Sequence, residues 1–274
     1  MAHIVRSGQT GQTSAVVTGA GRGIGRAVAE QLVRRGHAVV VTDVDGEAAR
    51  RTAAEIGAVE GLAQDVRDEV SHLRVAAAAL AHAPLGVWVN NAGVGDDGPL
   101  AELSSDSLRR LVEVNLLGVA YGVRAALDAF ADGEGLGGDI VTIASLSGLG
   151  PVPGLSMYAA TKAAVVSLTT SVAAETPRNM RLHAICPDGV DTEMVAAMRP
   201  DGLAKALVHS GGGLLSVDDV ARAAVASIGS RRVVVALPAW RGGLMRLSAV
   251  APLLMRGLPL FRALGQRAMR ASRD

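Results

Sequence analysis

Short apolar runs alternate along the chain with longer segments in which apolar residues recur every three to four positions. The short runs are typical of buried strands, and the longer segments are typical of helices that bury one face. The runs predict seven strands, at 15–17, 38–43, 59–63, 87–89, 138–144, 181–186 and 232–237. The longer segments predict helices at about 24–35, 67–82, 106–130, 156–175 and 216–228. This alternation predicts an α/β fold, a doubly wound parallel sheet of about seven strands with helices on both faces.

The composition fits one large α/β domain over residues 13–238. The chain has 274 residues, of which 49% are hydrophobic and 19% charged, and no linker or internal repeat interrupts this span. A net charge of +1 and an aromatic content of 2% argue against a nucleic-acid surface. Residues 1–12 are rich in Gly, Gln, Thr and Ser, so we expect a flexible tail there.

The cysteine and histidine content bears on localisation and metals. Cys186 is the only cysteine, so no intrachain disulfide can form, and we expect a reducing, cytoplasmic compartment. Residues 1–6 lack the apolar run of a signal peptide. The six histidines show no ligand spacing, and we predict no metal site. Cys186 is expected to pack in a strand, because no histidine is placed to activate its thiol.

A glycine-rich turn follows the first predicted strand and precedes a helix. It reads Thr18, Gly19, Ala20, Gly21, Arg22, Gly23, Ile24 and Gly25. Strand, glycine turn and helix in this order are the context that a phosphate-binding loop requires. Glycines let the backbone approach a pyrophosphate, and the helix N-terminus supplies free N–H groups and the positive end of its dipole. We therefore predict a dinucleotide-binding loop; a plain turn is the alternative.

Two acids follow the next two strands. Asp43 ends the second strand about twenty residues after the loop, where a carboxylate would meet the adenosine ribose and repel a 2′-phosphate. Arg22 argues the other way, because its guanidinium could hold a 2′-phosphate. Asp43 is the more direct contact, so we predict NAD rather than NADP. Asp65, after the third strand, could reach the adenine amino group or be a surface acid, and Asp45 is predicted to cap the second helix.

Tyr158 and Lys162 lie four residues apart on a predicted helix, so both can address one small volume. A free phenol titrates near pH 10, and a neighbouring cation lowers that pKa towards the range that suits proton transfer. Ser145 follows the apolar strand 140–144, at the sheet edge where ligands bind in open α/β folds. These three residues are candidate catalytic groups.

Amide side chains follow the fourth strand and interrupt the long helix. The fourth strand ends in Asn90, Asn91, Ala92 and Gly93, whose amides can join loops or line a cofactor. Asn115 interrupts the apolar face of helix 106–130. Because a buried amide needs partners, it is either a structural tie or part of a proton path.

The assembled pattern resembles the short-chain dehydrogenase/reductase family over about residues 13–238. The motifs that carry the resemblance are Thr18-Gly19-x-x-x-Gly23-x-Gly25, Asn90-Asn91-Ala92-Gly93, Asn115, Ser145 and Tyr158-x-x-x-Lys162. The resemblance implies a single-domain Rossmann-type fold. It also implies an NAD(P)-dependent oxidoreductase that interconverts a secondary alcohol and a ketone.

The resemblance also implies roles for individual residues. Tyr158 would be the catalytic acid/base, Ser145 would orient the substrate oxygen, and Lys162 would bind the nicotinamide ribose and lower the tyrosine pKa. Asn115 would hold a water in a proton relay, and Val190 and Thr192 would bind the carboxamide. The expected cofactor-binding residues are Thr18, Gly19, Gly21, Arg22, Gly23, Ile24, Gly25, Asp43, Asp65, Val66, Asn91, Ala92, Gly93, Tyr158, Lys162, Pro187, Gly189, Val190 and Thr192.

One position departs from the family pattern. The family's turn after the sixth strand reads Pro-Gly-x-Val-x-Thr, whereas residues 187–192 here read Pro-Asp-Gly-Val-Asp-Thr. Asp188 thus replaces a glycine beside the expected nicotinamide site. The substitution changes the local charge and leaves the conformation of the turn open.

The substrate side of the site is predicted to be apolar. Loop 146–157 and segment 188–211 offer Leu149, Val152, Leu155, Met157, Met194 and Met198, which favours an apolar alcohol or ketone. A non-catalytic dinucleotide sensor or scaffold with the same fold is the alternative. A pure binder would not need the complete Asn, Ser, Tyr and Lys set.

Residues 239–274 form a basic amphipathic C-terminal extension. It holds seven arginines and one acid, Asp274, with apolar residues between them. Arg246, Pro252, Arg256 and Pro259 argue against a membrane span. A peripheral membrane-surface contact, a partner subunit, or packing over the chain's own substrate pocket are the three interpretations.

The helix 156–175 predicts a homo-oligomer, with a tetramer favoured. Lys162 is its only charge before Glu175, and Ala, Val, Ser and Thr occupy all sides. A helix on the outside of a monomer should show a charged outer stripe. We therefore expect this helix, with the similar segment around Leu116–Tyr121, to meet symmetry mates in an isologous interface. Family resemblance points the same way.

Overall fold

A computed structural model describes residues 12–132, 137–250 and 258–271. The predicted tail at 1–12 therefore lies outside the described residues, apart from residue 12. Pro252 and Arg256 of the extension lie outside them as well.

Seven parallel strands form one sheet in the order β3-β2-β1-β4-β5-β6-β7. The strands are β1 Ser14–Val17, β2 Ala38–Asp43, β3 Glu60–Ala63, β4 Leu85–Asn90, β5 Gly138–Ile143, β6 Met180–Pro187 and β7 Val234–Leu237. The order reverses between β1 and β4, which places a crevice at the carboxyl ends of these two strands. The predicted doubly wound α/β fold is confirmed.

Eleven helices occupy the described ranges. They are α1 Gly23–Arg34, α2 Gly46–Ile56, α3 Glu69–His82, α4 Ser105–Val112, α5 Gly118–Asp132, α6 Ser156–Glu175, α7 Glu193–Ala196, α8 Leu203–His209, α9 Val217–Ser227, α10 Ala239–Val250 and α11 Leu258–Ala271. The predicted cap is confirmed, since Asp45 accepts hydrogen bonds from the first amides of α2. A capping box of Ser216 and Asp219 opens α9.

The strands are buried on both faces, which explains why they read as continuous apolar runs. Ala15 and Val17 of β1 face a layer that includes α1 and α9, whereas Val16 between them faces α3, α5 and α6. Side chains alternate between the two layers because the strand period is two. Trp88 and Phe130 are the largest fully buried side chains, and both lie in the second layer.

The helix predicted at 106–130 is not one regular helix. A π-helical turn, Glu113–Leu117, separates α4 from α5 and contains the fully buried Asn115. A π-turn holds one extra residue per turn, and such turns are frequent at functional sites. By length and composition alone, the run Ser105–Ala131 could cross a membrane, but half of its most apolar window is buried inside the protein.

Candidate active site

The carboxyl ends of the parallel strands bring the sequence-predicted residues to one edge of the sheet. Thr18 follows β1, Asp43 ends β2, Asn91 follows β4 and Ser145 follows β5. Tyr158 and Lys162 reach the same edge from the first turns of α6. In open sheets of this class, ligands bind at this edge, near the point where the strand order reverses.

The glycine turn is held against the end of β4. Asn91 Nδ2 donates to the carbonyl oxygens of Thr18 and Gly19 at 2.9 and 2.8 Å, and Thr18 Oγ1 accepts from the amides of Asn91 and Ala92. Gly19 has φ +62°, and a Cβ there would lie 2.6 Å from Ala92 Cα. The amide therefore joins the loops, which was one of the two roles predicted for it.

The start of α1 fits the pyrophosphate of a dinucleotide. Arg22 occupies the N-cap in an extended conformation, and its side chain makes no capping hydrogen bond. Gly23 has φ +58°, and a Cβ placed on it would meet open space. The first N–H groups of the helix have no side-chain cap and lie at the positive end of its dipole, which suits an anionic group.

Asp43 and Arg22 make the contacts that bear on cofactor choice. Asp43 Oδ2 accepts from the Gly21 amide at 3.0 Å, and Oδ1 accepts from the Asp45 amide at 3.1 Å. Arg22 Nε lies 3.1 Å from Glu193 Oε2 in an exposed ion pair. The guanidinium is thus balanced by a carboxylate of this chain, whereas the Asp43 carboxylate faces the glycine turn.

Asp65, which follows β3, forms an ion pair with Arg67. Arg67 approaches both carboxylate oxygens, with Nη2 2.6 Å from Oδ2, and this hydrogen bond lowers the pKa of Asp65. The Val66 carbonyl accepts from buried His72. The carboxylate that could meet an adenine amino group therefore already has a partner, and the surface-acid interpretation gains support.

Ser145, Tyr158 and Lys162 come together beside the end of β5. The Ser145 hydroxyl lies near the Tyr158 phenol and acts to lower the pKa of that phenol. Ser147 donates its own hydroxyl to Ser145 Oγ at 2.9 Å, and its backbone amide also contacts that oxygen at 3.1 Å. Lys162 is 4% exposed and donates to the Ile143 carbonyl at 2.9 Å. One hydroxyl pair and one buried cation thus share a small volume.

The pKa of Tyr158 is raised in this arrangement, whereas the sequence led us to expect that Lys162 would lower it. Burial raises the pKa of Tyr158 to about 12, and the Ser145 hydroxyl offsets only part of that rise. Burial also lowers the pKa of Lys162 to about 8. The ammonium lies 5.7 Å from the centre of the tyrosine ring, while its hydrogen bond goes to a backbone carbonyl.

Asn115 is bonded as a structural tie. Its Oδ1 accepts from the Val94 amide and its Nδ2 donates to the Val94 carbonyl, both at 2.9 Å. Nδ2 also lies 3.3 Å from Thr161 Oγ1, and that hydroxyl donates to the Tyr158 carbonyl at 2.7 Å. The π-turn thereby fixes the loop after Gly93 and braces the turn of α6 that carries the tyrosine.

The turn at 187–192 is closed by backbone contacts. Val190 forms a parallel bridge with Leu215, and Thr192 Oγ1 lies 3.3 Å from the Val190 carbonyl. Asp188, the residue that departs from the family pattern, is almost buried and pairs with Arg241 of α10 at 2.6 Å. The substituted carboxylate therefore has a partner in the C-terminal extension.

Residues 193–211, which we call the flap, cover the crevice with α7 and α8. Glu193 pairs with Arg22, and Met194 contacts Gly95 at the far side. The Arg199 amide donates to Asp97, and its guanidinium contacts Glu102 at 2.6 Å. The flap contributes Val195, Met198, Ala204 and Val208 to an apolar cluster that also includes Val152, Leu155 and Tyr158.

The extension packs over the flap and over the turn that follows Ser145. The helix α11 lies on α8, and α10 lies on β7 and on the 3₁₀ turn Leu146–Gly148. Of the three interpretations of the extension, packing over its own substrate side accounts for these contacts. Trp240, Leu247 and Val250 of α10 remain exposed, at 62%, 51% and 79%.

Three residues of the site were missed from the sequence: Ser147, Thr161 and Arg241. Ser147 has a local signal, since it lies two residues after Ser145 and just past a strand. Thr161 lies between Tyr158 and Lys162, at a position that the Tyr158-x-x-x-Lys162 motif leaves unspecified. Arg241 has no local signal, because only the folded chain brings it to Asp188.

Other titratable groups add no second reactive centre among the described residues. Burial raises the pKa of Cys186 to about 11, so its thiol stays protonated, as expected for a packed strand residue. In the described ranges, no group of three or more His, Cys, Asp or Glu side chains could hold a metal ion.

Comparison with known proteins extends these findings. The family model described as short chain dehydrogenase matches residues 13–202. The sorbitol dehydrogenase of Cereibacter sphaeroides is 41% identical over 183 residues, covering 66% of this chain and 71% of that protein. The 3beta-hydroxysteroid dehydrogenase 2 of Eggerthella lenta is 38% identical over 209 residues, covering 72% and 78%.

Solved structures with the same fold contain nicotinamide cofactors. A short chain dehydrogenase/reductase from Burkholderia phymatum, in complex with NAD, has a TM-score of 0.78 and 31% identity over 89% of this chain and 95% of its own. An alcohol dehydrogenase from Thermococcus sibiricus, complexed with 5-hydroxy-NADP, has a TM-score of 0.69 and 27% identity over 82% and 95%. Both kinds of dinucleotide thus occur on this fold.

Proposed function

The chain belongs to the short-chain dehydrogenase family of oxidoreductases, and from that premise we propose that it is an NAD-dependent dehydrogenase or reductase of secondary alcohols and ketones. The observation that carries the proposal is the hydroxyl pair of Ser145 and Tyr158 beside buried Lys162, at the sheet edge next to an uncapped helix N-terminus. A binding protein without chemistry would have no use for that hydroxyl pair.

The residues of the glycine turn fit a dinucleotide. The α1 amides would hold the pyrophosphate, Asp43 the adenosine ribose, and Lys162 the nicotinamide ribose, with the turn 187–192 beside the nicotinamide. When bound, the nicotinamide supplies the hydride acceptor in alcohol oxidation and the hydride donor in ketone reduction.

Side chains of this protein transfer the proton to or from the substrate oxygen. Ser145 orients the substrate oxygen, and Tyr158 donates a proton to a ketone oxygen or accepts one from an alcohol. With its pKa raised to about 12, the phenol carries its proton at neutral pH. Ser147 holds the Ser145 hydroxyl in place, and Thr161 with Asn115 holds the helix turn that carries the phenol.

An apolar substrate is supported by the apolar cluster to which the flap contributes. Tyr158 packs with Val152, Leu155, Val195 and Met198, and the described residues of this cluster carry no charge. Removing apolar substrate surface from water contributes about 25 cal/mol per Å² of buried area. A polyol would leave its hydroxyls without partners against these side chains.

NAD is the favoured cofactor. Asp43 faces the turn with a full carboxylate, and the Arg22 guanidinium is already paired with Glu193. A 2′-phosphate would meet a negative charge without a free counter-charge from Arg22, whereas ribose hydroxyls could donate to Asp43.

A homotetramer is supported by the outer face of α6. Apart from Glu175 at its C-terminal end, its exposed positions carry small, uncharged side chains, namely Ser156, Ala160, Ala163, Ser167, Thr170, Ser171 and Ala174. Such a face allows close approach of a second copy of the same helix in an isologous contact.

A peripheral membrane contact is supported by the outer face of α10. Trp240, Leu247 and Val250 are exposed there, and the extension is strongly basic. Sedimentation with vesicles of anionic or neutral lipid tests this. Binding to anionic vesicles alone, lost in the double variant Trp240→Ser/Leu247→Ser, supports the contact. Absence of binding to anionic vesicles at low salt overturns it.

The enzymatic proposal is tested with the purified chain, NAD or NADP, and a panel of secondary alcohols and ketones. The panel pairs apolar alcohols with sorbitol as a polar counterpart, and the absorbance of the reduced cofactor is followed. Turnover with NAD and an apolar alcohol or its ketone is the expected result. Tight dinucleotide binding without turnover of any member in either direction would favour the non-catalytic alternative.

A further inference from the structure

A nearly buried ion pair joins the turn at 187–192 to the C-terminal extension. Asp188 Oδ2 lies 2.6 Å from Arg241 Nε, and the two side chains are 12% and 11% exposed. Burial raises the pKa of Asp188, while Arg241 and the Gly189 amide act against that rise. Because an unpaired carboxylate in such a place would be costly, the turn that carries Asp188 depends on the helix that carries Arg241.

The same guanidinium reaches the end of the flap. Both terminal nitrogens of Arg241 lie 3.3 Å from Ser210 Oγ, just after α8. At Gly211 an added Cβ would lie 2.8 Å from Asp188 Oδ2 and 2.9 Å from Arg241 Nη1. The backbone of the flap therefore packs directly against the ion pair. Arg241 of α10 thus contacts both the turn at 187–192 and the end of the flap.

A second attachment joins the extension to the flap. The helix α11 packs on α8, and a Cβ on Gly265 would overlap the Ala206 carbonyl oxygen. On the opposite wall, Gly150 lies against the Met245 carbonyl of α10, and Gly242 lies close to Leu146. The extension thus contacts both the flap and the loop that follows Ser145.

We propose that Asp188 and Arg241 are positioning residues that, together with α11, hold the flap closed over the substrate side of the site and so restrict which alcohols enter. This role explains why an aspartate stands at 188, where the family pattern has a glycine: its carboxylate pairs with Arg241 of the extension. The kinetic consequence rests on the proposed function, whereas the ordering of the flap does not.

The direct readout is amide hydrogen exchange of peptides from residues 193–211 in the full chain. Asp188→Asn and Arg241→Met should each raise exchange there by about tenfold or more, since opening of a locally held segment becomes easier. Arg246→Met is the matched control, because Arg246 is an exposed arginine on the same helix. Peptides from β4 and β5 should exchange as in the wild type.

Two further variants keep the test available if a single change prevents folding. The double variant Asp188→Asn/Arg241→Met leaves no buried charge unpaired, so it should fold and still show raised flap exchange. Gly265→Ala raises helix propensity yet collides with Ala206, so it should also loosen the flap. Ala263→Val, on the exposed face of α11, controls for changes in that helix.

Steady-state kinetics supply the second readout. In Arg241→Met, the difference in KM between a small and a bulky apolar alcohol should narrow about tenfold, because the loosened flap no longer excludes the bulky one, while kcat and the KM for NAD stay within about twofold. Arg241→Lys keeps the charge and should restore part of the difference.

Unchanged flap exchange in both single variants would overturn the proposal. A rise spread evenly over the whole chain would also overturn it, because the pair would then support global stability. If the wild type turns over no alcohol while the flap still responds as expected, the proposed function fails and the positioning role stands.

Discussion

The Lys162 ammonium lies 5.7 Å from the centre of the Tyr158 ring and donates its hydrogen bond to the Ile143 carbonyl. Burial dominates the pKa of both groups. The phenol keeps its proton and the lysine gives up its proton more readily than in water. At neutral pH both groups therefore carry their protons, and the phenol is a weaker acid than a free tyrosine.

Cofactor preference should follow Asp43. The wild type is expected to use NAD with the higher kcat/KM, and Asp43→Ser should narrow the NAD-to-NADP ratio by about tenfold or more, the size of a lost charged hydrogen bond. Initial rates with each dinucleotide measure this ratio. Asp45→Ser is the control, because that side chain caps α2 and its replacement keeps a capping hydroxyl. A wild type that prefers NADP would show that Arg22 governs instead.

Asp139 should stabilise the fold at the edge opposite the active site. It lies near the start of β5 and accepts hydrogen bonds from Arg181 and the Gly229 amide, with His183 Nε2 at 2.9 Å. Burial raises its pKa, but the hydrogen bonds from His183, Arg181 and the Gly229 amide outweigh burial and bring the pKa to about 2. A shift of that size corresponds to about 2 kcal/mol of stability at neutral pH.

The sign of this effect fixes its pH window. Because the folded pKa of Asp139 is depressed, the stabilisation is complete above about pH 4 and is lost as the pH falls from there towards 2. Asp139→Asn should lower the free energy of unfolding at pH 7 by about 2 kcal/mol, and the difference should shrink at about pH 3. Urea titrations at the two pH values measure it. Asp106→Asn, at a side chain that is 93% exposed, should show little difference at either pH.

The oligomer should depend on the small-residue face of α6. Ser167→Arg places a long charge on that exposed face and should convert tetramers to smaller species, seen by sedimentation velocity. Val70→Arg, at a 60% exposed position on α3, should leave the assembly unchanged. A wild type that sediments as a monomer at micromolar concentration would refute the interface.

The sheet and most helices could be predicted because their apolar patterns are local. The helix α6 begins and ends at the predicted residues, since its small and apolar side chains run without a break from Ser156 to Glu175. The π-turn at Asn115 could not be predicted, because the extra residue is held by bonds to Val94 and Thr161 from other segments. The helix propensity of the local sequence does not depend on such distant partners.

The candidate site was predictable as a set of residues but less so as a set of contacts. Ser145, Tyr158 and Lys162 follow from spacing and strand position, and the structure brings them together. The raised pKa of Tyr158 depends on burial by residues from other segments, which spacing alone does not reveal. Arg241 reaches Asp188 across more than fifty positions of sequence, so only the fold connects them.

The measurement that tests the central claim most directly compares Tyr158→Phe with Tyr121→Phe. The chain has only these two tyrosines, and each change removes one hydroxyl. With NAD and the best secondary alcohol of the panel, Tyr158→Phe should lower kcat/KM by about 100-fold or more, as expected for loss of a general acid/base, while NAD binding stays within about twofold. Tyr121→Phe should keep most of the activity. If Tyr158→Phe retains more than about a tenth of the wild-type rate, Tyr158 is not the proton-transfer group, and the account of this site is wrong.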